Sequence, residues 1–240
     1  MKRLLIILIL SLSFFSCQST YFFSSLKTTN QYMEKTENGN FRLENDSMWI
    51  SYRFEGRDAP IQITVFNKMS KPLYVDWEQS ALIIDDVAYS YAGEQSWSNA
   101  QISEIAPNRL VHHNAMSLNV TFNDMKRKGF KNRKLVNNKG EVVEIKRMDF
   151  TEDNSPLFFS SYLVTYTNRD NPITYKQDFY ISNLIKTKSV NPDNLPVGMA
   201  NRGDLFYVEK PANTSFIEGL LGVTIAVGAI ALEVALDSSE

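Results

Sequence analysis

The strongest constraint in this chain is a period of two. In MWISYRF, residues 48–54, the apolar Met48, Ile50, Tyr52 and Phe54 fall on one face, and Ser51 and Arg53 fall on the other. In IQITVF, Ile61, Ile63 and Val65 alternate with Gln62 and Thr64. Only an extended backbone brings residues i, i+2 and i+4 to one side, so these runs predict half-buried strands. Breakers separate them: Asp58-Ala59-Pro60, then NKMSKP over 67–72. LYVDW is a further strand. ALIIDDVAYSY predicts two short strands in a tight hairpin about Asp85-Asp86. Short strands and turns with no long helical period point to an antiparallel sandwich.

The second half repeats the signal after an interruption. PLFFSSYLVTYT and ITYKQDFYISNLI, divided by a turn at 168–172, predict closing strands that pair back with the first half. Between the halves, residues 116–155 predict an excursion from the sandwich, an inserted basic hairpin or loop. SLNVTF and EVVEIKRMDF are its strand candidates. Its basic run is Lys126, Arg127, Lys128, Lys131, Arg133 and Lys134. Residues 187–215, with Pro192, Pro196 and Pro211, predict a connector that holds one strand candidate, DLFYVEK.

The pattern N-K-x-S-K-P-L resembles the first long hairpin of immunoglobulin-like domains in secreted bacterial proteins. Ile105-Ala106-Pro107 resembles the segment that opens the next sheet edge. The likeness covers about residues 45–115. It implies a mainly β, immunoglobulin-like antiparallel sandwich and carries no activity with it.

Composition narrows the class. The chain has 240 residues, 43% of them apolar and 22% charged, which suits a folded domain with appendages. Its net charge is -2, and without Lys2 and Arg3 it is -4, which gives no global attraction to nucleic acid. Cys17 is the single cysteine, so an internal disulfide and a thiolate-built metal site are both excluded.

The position of Cys17 explains it. MKRLLIILILSLSFFSC opens with two cations, continues with an apolar core and ends with small Ser16 before the cysteine. This is the layout of a secretory signal, and its apolar core is shorter than the roughly 20 residues a membrane span needs. The junction resembles the lipobox of bacterial lipoproteins, with Phe14 where that family favours leucine. The resemblance implies cleavage before Cys17 and lipidation of its sulfur. Gln18, in place of aspartate, resembles cargo of the outer membrane. Residues 1–16 are therefore expected to be a signal peptide, 17–40 a lipidated tether, 41–186 the sandwich, 187–215 the connector, and 216–240 an apolar C-terminal segment. In the tether, Tyr21–Phe23 either lie on the lipid surface or dock on the domain.

Candidate chemistry is sparse. His112 and His113 are adjacent, and on a strand they point to opposite faces, so they are poorly placed to share one metal. No glycine-rich phosphate loop and no G-x-S-x-G elbow occurs. No metal, cofactor or catalytic residue is expected, and the chain is read as a non-enzyme. The basic run has two readings, contact with anionic surfaces or a solvated loop. Arg202-Gly203-Asp204 spells an adhesion tripeptide, a string that chance also supplies. Trp49, Trp77 and Trp97 can line a glycan-binding face, although core packing is the commoner use.

The longest charge-free run in the C-terminal EGLLGVTIAVGAIALEVALD is only 14 residues, 219–232. As a helix these span about 21 Å, short of the roughly 30 Å hydrocarbon core. On such a helix Gly219, Gly222, Ala226, Ala229 and Glu233 form a stripe that admits a second helix closely. A helix is expected here, with a strand as the alternative because of the β-branched residues.

Together these features predict a lipid-anchored envelope protein, on the outer membrane, that acts as a binding or assembly module. Its partners would be the membrane, through the lipid, and an envelope protein or a second copy, through the C-terminal segment. A hydrolase acting on envelope glycans or lipids, and a spacer without a ligand, are the alternatives. Nucleic acid is not expected as a partner.

Overall fold

The structure is a computed structural model that describes residues 19–92, 101–118, 120–122, 129–210 and 223–225. It is mainly β. The strands of the first half are β1 (Thr20–Thr28), β2 (Met33–Lys35), β3 (Phe41–Glu44), β4 (Met48–Arg53), β5 (Gly56–Arg57), β6 (Pro60–Asn67), β7 (Leu73–Ile84), β8 (Val87–Ser90) and β9 (Ile102–Ile105). They are followed by β10 (Leu110–Ser117), β11 (Val120–Phe122), β12 (Lys131–Val136), β13 (Val142–Asp149), β14 (Phe158–Tyr166), β15 (Ile173–Thr187), β16 (Leu205–Lys210) and β17 (Val223–Ile225).

Two sheets carry the fold. The smaller runs β10-β6-β4-β3-β2. The larger runs β5-β16-β1-β15-β14-β7-β8, with β9 also on β7, and β13 on β15 carrying β12. The alternation read from sequence holds in the smaller sheet: Met48, Ile50, Tyr52, Phe54, Ile61, Ile63 and Val65 are all buried. Asp85 and Asp86 sit at φ 49° and 63°, the left-handed pair that a two-residue turn of this twist requires, and β7 and β8 pair across them. β14 pairs with β7 and β15 with β1, so the closing strands return to the first half.

The sheets meet over an aromatic core centred on Phe179. Its ring lies 5.1 Å from Phe54, 5.2 Å from Phe41, 5.3 Å from Tyr52 and 5.4 Å from Phe159. Phe41, Tyr52 and Phe54 come from the smaller sheet or its edge, and Phe159 and Phe179 from the larger. One side chain therefore joins both layers.

NKMSKP is not the loop of a paired hairpin. It carries the chain from β6 in one sheet to β7 in the other, and 106–109 carries it back from β9 to β10. Fully buried Asn67 ties the two crossings together. Its Nδ2 donates to the carbonyls of Lys71 (2.8 Å) and Ile105 (2.9 Å), and its Oδ1 accepts from the Met69 amide (2.9 Å). A buried amide with its capacity filled fixes both turns at once.

The expected tether differs most from the structure. Residues 20–28 are an interior strand of the larger sheet, paired with β15 on one side and β16 on the other. Phe22 and Leu26 enter the main core, and Phe23 enters a second cluster on the opposite face with Ile145, Ile185, Val190 and Leu205. The polar residues around these apolar ones are strand positions at a sheet that is covered on both sides, a pattern that resembles a linker when only its composition is weighed. The strand candidate DLFYVEK within the expected connector is β16, paired with β1.

In the C-terminal segment, Val223–Ile225 form β17, antiparallel to β11. A helix is not what these three residues make. Val-Thr-Ile is a β-branched run, stiff at χ1 and suited to a strand. The rest of that segment, including Gly219, Gly222, Ala226, Ala229 and Glu233, lies outside the described residues, as do the signal peptide and Cys17.

Candidate functional site

Two surfaces carry the residues singled out by sequence. The first is the outer face of the smaller sheet. Register places Arg42, Ser51, Thr64 and His112 in one row across β3, β4, β6 and β10. Glu44, Trp49, Phe66 and Leu110 form the next. A cleft of about 460 Å³ opens over this face beside Trp49, Arg53, Gln62, Thr64 and His112. His112 Nδ1 is 2.8 Å from Thr64 Oγ1. Trp49 is stacked on Phe66 at 5.5 Å with an 11° interplanar angle, and the Arg42 guanidinium lies 4.8 Å from the indole; Phe66 on β6 and Arg42 on β3 stand on the two strands that flank β4. Both faces of the indole are thus occupied. A sugar ring stacks on an open aromatic face, so Trp49 is poorly suited to a glycan platform. Trp77 is fully buried, and Trp97 lies outside the described residues.

His113 points the other way, as strand alternation requires. Its ring stacks on Trp77 at 3.9 Å, and Nε2 donates to the Tyr91 carbonyl at 3.0 Å. A carbonyl only accepts, so this nitrogen carries the proton. Burial pushes the imidazole below its ordinary pKa. Nearby, Tyr91 OH donates to Ser161 Oγ (2.7 Å), and Ser161 Oγ donates to Tyr52 OH (3.0 Å). Burial raises the pKa of both phenols. This chain of hydroxyls is closed inside the core and serves packing.

Arg202-Gly203-Asp204 is a clamp. Asp204 is only 2% exposed, pairs with Lys35, and receives Arg202 Nε at 2.9 Å and Arg202 Nη2 at 3.2 Å. The Gly203 amide donates to Asn38 O (2.8 Å), its carbonyl accepts from Phe54 N (2.6 Å), and Asp204 O accepts from Leu26 N (2.8 Å). A Cβ at Gly203 would overlap the Asn40 side chain. An adhesion tripeptide must present its carboxylate outward, and this one is spent inward. Sequence offered no sign of the clamp beyond the glycine itself.

The second surface is the β12–β13 hairpin with the end of the sheet that carries it. Lys131, Arg133 and Lys134 lie exposed on β12, opposite Arg147, Ile145 and Glu144 of β13. Lys126, Arg127 and Lys128 lie outside the described residues. The hairpin is held by Ile145, packed in the second cluster with Phe23 and Ile185, and by pairing of Lys146–Asp149 with β15. The same end of the sheet holds Thr20, the first residue of β1, which pairs with Lys210, the last of β16.

Among the described residues no helix is long and apolar enough to cross a membrane. No family model, no curated protein and no solved structure matches this chain.

Proposed function

We propose that this chain is a lipid-anchored protein of the bacterial cell envelope, seated on the outer membrane through Cys17, and that it works as a non-catalytic binding or assembly module on an immunoglobulin-like sandwich. The observation that carries the proposal is the start of β1. Thr20 is already paired into the larger sheet. Three residue steps separate it from Cys17, a reach of at most about 11 Å. A lipid on that sulfur would hold the sandwich against the bilayer, as a module that works at a membrane needs. The two crossings between sheets at 68–72 and 106–109 support the immunoglobulin-like description. The C-terminal segment is the proposed contact for an envelope partner or a second copy.

The experiment is metabolic labelling with palmitate, followed by fractionation. The native chain is expected to take up label and to sediment with membranes. Cys17→Ser is expected to do neither. Label retained by the Cys17→Ser chain would sink the proposal. Crosslinked pull-down with and without residues 226–240 tests the partner contact and leaves β17 in place.

A further inference from the structure

We infer that the β12–β13 hairpin is a docking surface for anionic lipid headgroups, which sets the larger sheet's Thr20 end against the membrane. The inference rests on the lipid anchor just proposed and adds an orientation and a ligand class to it.

Register supplies the geometry. Tyr21 is level with Thr187 on β15, and Lys186 is level with Lys146 on β13. Continuing that register puts Thr20 at the height of Glu144. Val143, Val142 and the turn at 137–141 then project past Thr20 by roughly 10 Å, at about 3.3 Å per residue. This projection matches the reach from Thr20 to Cys17. That upper bound lets a lipid at Cys17 lie level with the hairpin tip without bending the sheet.

Charge and exposure agree. Residues 131–149 hold six basic and three acidic side chains, a net of +3, whereas the whole chain is -2, so the remainder is -5. Among the described residues, Lys131, Arg133, Lys134 and Lys139 take part in no ion pair. The tip also exposes apolar groups. Val136 and Val142 pair with each other there and are 53% and 64% exposed, beside Lys139. Exposed valines flanked by lysines suit an interface in which methyl groups enter the acyl boundary and ammonium groups meet phosphates.

The test uses the full chain carrying Cys17→Ser and vesicles of phosphatidylcholine with or without phosphatidylglycerol. Binding is expected only to the anionic vesicles and is expected to fall as salt is raised. The triple variant K131Q/R133Q/K134Q should lose about tenfold in partitioning, less than the roughly 1 kcal/mol for each basic residue at the surface itself, because Lys134, Arg133 and Lys131 stand successively farther back from the tip. The variant K71Q/R109Q/R169Q removes the same charge from exposed positions at the other end of the sandwich and should bind as the parent does. A Lys139→Cys probe, the only cysteine in that background, should report entry into the interface on anionic vesicles alone. Equal losses in the two triple variants, or equal binding to neutral vesicles, would overturn the inference. The substituted residues are exposed, so a folding failure is not expected. Palmitate labelling tests the anchor separately, so either idea can fail while the other stands.

Discussion

The two sheets solve burial differently. The smaller sheet has one face on the core and one facing out, and β4 and β6 alternate strictly between buried and part-exposed residues. The larger sheet is covered on both faces at its Thr20 end. There Phe22, Phe23 and Ser24 are buried in succession, as are Leu184 and Ile185. The second covering includes the segment after β15, whose Val190, Leu195 and Met199 pack with Phe23, Ile145 and Ile185, beside Leu135 and Val143 of the hairpin. A half-covered sheet announces itself by its period. A doubly covered one loses the period and is recognised only with its cover in place.

Truncating the shared core should have the largest effect. Phe179→Ala removes the ring that touches both sheets and should destabilise the fold by about 3–5 kcal/mol, read by chemical denaturation. A loss below about 1 kcal/mol would show that the sheets do not depend on that contact.

Truncating the second cluster should cost less and act locally. Ile145→Ala should destabilise by about 2 kcal/mol, the low end for such a deletion, because the cluster is small and its rim, Leu135 and Val143 included, is only partly buried. It should also expose the hairpin to protease before the smaller sheet is cut. Simultaneous cleavage of both would join the two regions into one cooperative unit and weaken the contrast between them.

The smallest expected effect is a pH dependence at the join between β10 and β7. Burial of His113 lowers its pKa from the ordinary 6.5, so the unfolded chain binds the proton more readily than the folded one. Its contribution to stability is full above about pH 6.5 and is lost as pH falls through that value, levelling off below the folded-state pKa. Denaturation midpoints of the native chain should therefore fall between pH 7.5 and pH 5. In His113→Gln that part of the slope should vanish, and an unchanged slope would assign it to other groups.

Much of the smaller sheet was legible beforehand. Met48, Ile50, Tyr52 and Phe54 read as one face and are one face. The Asp85-Asp86 turn was legible from two residues that tolerate left-handed backbone. The opposite faces of His112 and His113 followed from strand geometry. What stayed hidden depended on distant partners. Asn67 looks like any turn asparagine until Ile105 and Lys71 surround it. Asp204 looks exposed until Lys35 and Arg202 close on it.

The amino-acid sequence alone determined that this chain is β, where its turns fall, and that it holds a single cysteine beside a signal-like segment, because these depend on neighbours within a few residues. Only the tertiary structure decided that residues 20–28 are an interior strand, that Arg202-Gly203-Asp204 is an internal clamp, and that the basic hairpin projects from the same end at which β1 begins. The first two rest on pairings across 150 residues and more, as between Leu26 and Ile181 or Lys35 and Asp204, and the third also on the pairing of β13 with β15. Hydrogen bonding and burial at that range leave no periodic trace in the strand that receives them.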